Sequence, residues 1–182
     1  MQFPSAMRRS RIGLKAAVLT GVLAVASLGL AGPSMAQSDE LEPGEISHSE
    51  NIHHVANVPT QGVNDGFFHS DIGFWGDYAI QGSYGGINIY DIKHPRKPEL
   101  ISQFSCPGGQ GDPTVSEDGS LVFMSVDAPM SDSSCQASPS NATNPNAWEG
   151  VRVIDISDVN NPQQIAAVRT DCGSHTHTLV PD

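Results

Sequence analysis

GINIYDIKHPRKPELISQF (residues 86–104) and GVRVIDISDVNNPQQIAAV (residues 150–168) are two copies of one pattern, set 64 residues apart. Gly86 matches Gly150, Ile87 matches Val151, and Ile89 matches Val153; further on, Asp91 matches Asp155, Ile92 matches Ile156 and Pro98 matches Pro162. Apolar residues alternate at the start of each copy, which predicts a strand with Ile87 and Ile89, or Val151 and Val153, on one face. The Asp ends that strand, because its carboxylate accepts bonds from nearby backbone N–H groups, and the Pro stiffens the turn that follows. Each copy therefore reads as a strand, an Asp turn closed by Pro, and a second strand.

The text upstream of the two copies also corresponds. DIGFWGD (71–77) leads into YAIQGS (78–83), and DPTVSED (112–118) leads through Gly119 and Ser120 into LVFMS (121–125). Asp118-Gly119 is a hairpin signal. Each unit then has four strands in antiparallel succession. Tandem units of this kind predict an all-β fold, a β-propeller built of four-stranded blades, with about two blades plus the start of a third. The blades span approximately 67–104 and 111–168, and the third begins at 174. Residues 128–149 form an insertion between the second and third strands of the second blade. Propellers typically need four to eight blades to close, so the sequence is expected to be a piece of a longer protein.

The N-terminus has a different composition. Arg8, Arg9, Arg11 and Lys15 precede an apolar run from Ala16 to Leu30, and Ser34 and Ala36 offer small residues at a cleavage site. Residues 1–36 read as a signal peptide cleaved after Ala36. The apolar run is shorter than the roughly 20 residues a membrane span needs, and no second long apolar run follows. Residues 37–50 read as a flexible acidic leader, and 51–182 as the partial propeller. The 182-residue chain has nine Lys and Arg, twenty Asp and Glu, and a formal charge of -11. Removing 1–36 takes away four basic residues and no acidic one, leaving five against twenty. So acidic a surface argues against nucleic acid and anionic membranes as partners. The expected location is secreted or extracytoplasmic, with no membrane span in the mature chain.

The text GVRVIDISD (150–158) with Pro162 beyond it, together with WGDYA (75–79), NAWEG (146–150) and CGSHTHTLVPD (172–182), resembles the LVIVD-repeat family of secreted bacterial β-propellers. The resemblance covers roughly Asn51 to Asp182. It implies the fold and an exported protein, and it supplies no catalytic residues to carry over.

Chemistry is expected where the innermost strands begin. His69 and Asp71 open the first, Asp112 the second, and His175 and His177 the third. These five residues would approach one mouth of the propeller channel, and imidazoles with carboxylates are competent ligands for a divalent transition metal. Alternation along a strand would turn His175 and His177 to one side. Solvated groups bonded to neighbouring loops are the plainer explanation. Gly108, Gly109 and Gly111 lie in a Gly-rich stretch with no Lys-Ser/Thr after it, so no phosphate loop is expected, and there is no Gly-x-Ser-x-Gly elbow. The resulting functional expectation is a non-enzymatic scaffold that binds a protein or cell-envelope component through a loop-rich face; the alternative is a metal-dependent enzyme centred on the His/Asp group.

Three cysteines, Cys106, Cys135 and Cys172, are disulfide candidates in an oxidising compartment. Cys106 and Cys172 fall in successive connections between units, and Cys135 falls in the insertion between them. The expected pair is Cys135 with either Cys106 or Cys172, since pairing the other two leaves the insertion untethered.

Overall fold

The structure, a computed structural model, describes Glu45 and residues 47–180. The segment read as a signal peptide, 1–36, and most of the expected acidic leader, 37–50, lie outside the described residues. From residue 46 onward the chain forms one unit. Its strands are β1 (His69–Trp75), β2 (Tyr78–Ser83), β3 (Gly86–Asp91), β4 (Glu99–Ser105), β5 (Pro113–Val115), β6 (Leu121–Met130), β7 (Trp148–Asp155) and β8 (Gln163–Arg169). They make two four-stranded antiparallel sheets, ordered β1-β2-β3-β4 and β5-β6-β7-β8. A 3-10 turn, Gly62–Asn64, precedes them.

The two sheets share a register. Gly86 pairs with Ser105 and Gly150 with Arg169; Ile87 pairs with Phe104 and Val151 with Val168; Asp91 pairs with Glu99 and Asp155 with Gln163. Every one of these correspondences is 64 residues. Even the irregularity repeats, between Ile89 and Tyr90 in one sheet and between Val153 and Ile154 in the other. The Asp turns also repeat. Asp91 Oδ1 accepts from the N–H of Lys93 at 2.8 Å, and Asp155 Oδ1 from the N–H of Ser157 at 2.8 Å. Ile92 N–H then donates to Asp77 O as Ile156 N–H donates to Ser120 O, so each turn is tied to the hairpin beside it.

One apolar core joins the sheets. Ile80, Ile87 and Ile89 from the first and Val122, Met124, Val126 and Ile154 from the second are all fully buried in the same cluster. Burying each such side chain is worth about 1.5–3 kcal/mol. Polar contacts fix the docking: Trp75 Nε1 donates to Glu117 O at 3.1 Å, and Ser102 Oγ donates to Val159 O. The Trp75 ring lies over Gly119, where a built Cβ would stand 2.1 Å from it, and Gly119 has φ +74°. The Asp118-Gly119 turn therefore requires glycine twice over, for its backbone and for the indole above it.

The insertion is shorter than the sequence suggests. β6 runs on through Ala128 to Met130, which pairs with Trp148 of β7. Continued pairing of the long β6 and β7 absorbs both margins, leaving 131–147 outside the sheet.

Candidate functional site

Residues 173–180 lie on the second sheet much as 109–116 lie on the first. Gly73 of β1 and Thr114 of β5 hold matching positions, paired with Ile80 and Phe123. A Cβ built on Gly73 would stand 3.3 Å from Pro113 O. Thr114 Oγ1 donates to His177 O at 3.3 Å, and His177 follows Pro113 by 64 residues. Gly82 and Ser125 also match, paired with Ile87 and Val151. Gly82 packs against Gly111 O and Pro113, with room for no side chain. Ser125 instead presents its hydroxyl to Ser174 Oγ at 2.9 Å and His177 Nδ1 at 2.8 Å. The first junction is thus closed by glycine and proline, and the second by a hydrogen-bonded cluster.

This second junction is the candidate site. Ser125 is fully buried and Asp112 is 6 % exposed. Asp112 O accepts from Ser125 N–H at 3.0 Å. Burial pushes the His177 imidazole below its usual pKa, and the nearby Asp112 carboxylate partly opposes that. His177 Nε2 is buried without a protein partner. Serine, histidine and aspartate are the composition of a nucleophilic triad. Here, however, a substrate could reach the Ser125 hydroxyl only by displacing 173–180.

The five candidate ligands separate. His69 is half-buried in β1 with both ring nitrogens buried and unpartnered. Asp71 is exposed, its Oδ1 accepting from Ile72 N–H at 2.7 Å. Asp112 and His177 meet at the junction. His175 turns instead to Asp127, Nδ1 to Oδ2 at 2.6 Å. His175 and His177 thus bond two different residues of β6, Asp127 and Ser125, and 174–180 forms no strand ladder of its own. Among the described residues, no three His, Cys, Asp or Glu side chains stand together as a group able to hold a metal ion. Ser125, Thr114, Ser174 and Asp127 escaped the sequence reading. Their signal was the departure of Ser125 from Gly82 and of Thr114 from Gly73 between otherwise matching copies.

No known protein family, curated protein or solved structure matches this chain. Among the described residues, no helix is long and apolar enough to cross a membrane.

Antiparallel succession gathers the β2–β3 turn, the β4–β5 connection, the 131–147 insertion and residues 170–173 at one end of the sheets. A disulfide joins Cys106 to Cys135 there, the pairing of the insertion with one of its neighbours that the sequence predicts, and Cys172 is free and exposed. Arg152, fully buried in β7, reinforces the tether. Its Nε donates to Ser133 O at 3.1 Å and its Nη1 to Pro107 O at 2.7 Å, while the guanidinium sits 5.3 Å from the Trp148 ring centroid. Burial lowers the Arg152 pKa to about 10, with Asp132 opposing the shift. Gln164 adds a clamp, accepting from Cys135 N–H and donating to Ser133 O, each at 2.8 Å.

Proposed function

We propose that this chain builds consecutive blades of a secreted β-propeller of the LVIVD-repeat type, a non-enzymatic scaffold that engages a protein or cell-envelope component through its loop-bearing end. The observation that carries the reading is the repeated docking: Pro113 meets Gly73 and Gly82 as His177 meets Thr114 and Ser125. A rotation applied twice in this way is how blades succeed one another around an axis. The outward face of the second sheet supports it too. Val168, at the position of Phe104, is 58 % exposed, and Ile165 is 57 % exposed; a further unit would cover them as the second sheet covers the first. A buried disulfide, the basic-then-apolar N-terminal text and the acidic remainder favour export. The long, cross-linked connections gather at one end, which favours binding there over the short-turn end.

Hydroxyl-radical footprinting of the secreted protein, with and without intact cell envelopes, tests the binding face. Protection is expected at 107–111 and 131–147. Protection confined to the opposite turns, 92–98 and 156–162, or none anywhere, would overturn it.

A further inference from the structure

The two sulfurs of the Cys106–Cys135 bridge have unlike surroundings. Arg152 Nη1 donates to Cys106 Sγ at 3.3 Å. The other partners of this guanidinium are neutral: the carbonyls of Ser133, Pro107 and Cys106, and the Trp148 ring. Its Nη2 is buried with no partner. Among the described residues, Arg152 makes no salt bridge, and Asp132 acts on it through space alone. Arg152 is thus a fully buried cation without a bonded counter-ion, an unfavourable state. A disulfide sulfur is a weak acceptor and does little to relieve it. A thiolate at Cys106 would be the missing counter-ion, already in place.

The two cysteines are also held differently. Cys106 follows β4 directly, and its N–H donates to Gly85 O at 2.8 Å. Cys135 lies in the insertion, outside the sheet, between half-buried Ser134 and exposed Gln136. Its N–H is held by the Gln164 side chain. Both cysteines are buried, so a thiol reaches the bridge only when the insertion lifts. Lifting turns Cys135 toward solvent and leaves Cys106 on the end of the sheet beside Arg152. A neighbouring cation stabilises a thiolate, and the sulfur more stable as a thiolate is the better leaving group in exchange.

We propose that Cys135 is a site of reversible S-thiolation by a small thiol. The incoming thiolate attacks Cys135 Sγ and a new S–S bond forms there. The Cys106–Cys135 bond breaks, and its electron pair leaves on Cys106 Sγ beside the guanidinium. One disulfide replaces another, so the thiol is the only co-reactant. The product frees 131–147 from its covalent tether. The test uses the oxidised Cys172→Ser protein, which lacks the free thiol. It is treated with 2-mercaptoethanol, an uncharged probe, quenched with N-ethylmaleimide and mapped by peptide mass spectrometry without reduction. The mercaptoethanol adduct is expected on Cys135 and the maleimide on Cys106, in at least about fivefold excess over the reverse. Arg152→Met should abolish this preference, and Arg152→Lys, which keeps the charge, should retain it. Adducts divided equally or mainly on Cys106, no exchange in the folded protein, an unchanged preference in Arg152→Met, or equal loss in both variants would overturn the proposal. The adduct position in the Cys172→Ser protein decides the matter even where circular dichroism shows Arg152→Met to be unfolded.

Discussion

Asn88 and Arg152 occupy the same register position, 64 residues apart, in the third strands of their sheets, and both are buried. Each organises whatever covers its side of the sheet. Asn88 Oδ1 accepts from Asn64 Nδ2 at 2.9 Å and from Gln103 Nε2 at 2.8 Å, holding the segment that leads into β1. Arg152 holds the disulfide loop and the insertion. One backbone position has thus been given two polar solutions, each matched to the chain that packs on it.

Replacing Arg152 by Lys tests how far the insertion depends on a planar fork. An ammonium cannot reach Ser133 O and Pro107 O together, so either Pro107 O loses its donor or Ser133 O keeps only Gln164 Nε2. The expected cost is about 2 kcal/mol. It is read as a lower urea midpoint with an unchanged slope. No change in midpoint would mean that the guanidinium contributes nothing to holding the insertion.

The disulfide restrains 29 residues of sequence separation. Cys135→Ser should destabilise the protein by about 3 kcal/mol and make 131–147 the first site of proteolysis. In the parent protein, a maleimide should label Cys172 and neither other cysteine. Labelling of Cys135 in the folded, unreduced protein would contradict the pairing.

Gly82 and Ser125 should respond oppositely to alanine. A Cβ at Gly82 would fall 2.2 Å from Gly111 O, so Gly82→Ala must push the sheets apart, at about 1–3 kcal/mol. Ser125→Ala adds no bulk but leaves His177 Nδ1 and Ser174 Oγ without their shared partner, at about 1–2 kcal/mol. Thermal melts of both, with Ser125→Gly, separate the steric effect from the polar one. A neutral Gly82→Ala would show that the first junction is looser than described.

The strands were legible because alternation, Asp turns and prolines are local signals that the two copies repeat. The disulfide partner was narrowed by the order of the connections alone. Long-range polar placement was not legible. Nothing near Asn64 in the sequence announces that it reaches Ile87 O and Asn88, 23 and 24 residues away. Arg152 sits in a strand whose alternation could equally expose it, and the insertion and the β4–β5 connection cover it. The separate partners of His175 and His177 were not legible, because 174–180 forms no ladder whose alternation could be read.

His177 gives the second junction a pH dependence. Burial lowers its folded pKa, so docking of 173–180 favours the neutral imidazole. That contribution is fully present above the free value of about 6.5 and is lost as pH falls through the lower folded value. Once corrected for the intrinsic pH dependence of amide exchange, protection at 173–180 should therefore fall between pH 7.5 and 5, before protection in β6 and β7 does. His177→Asn should flatten the profile. Simultaneous opening of the segment and both sheets would contradict a local junction.

Ring architecture is the central claim, and electron microscopy of the purified protein addresses it most directly. Class averages should show a ring of radially arranged four-stranded units around a central channel, with neighbouring units related by the rotation that carries the first sheet onto the second. A compact two-sheet particle with no channel, or sheets stacked in a line, would contradict it.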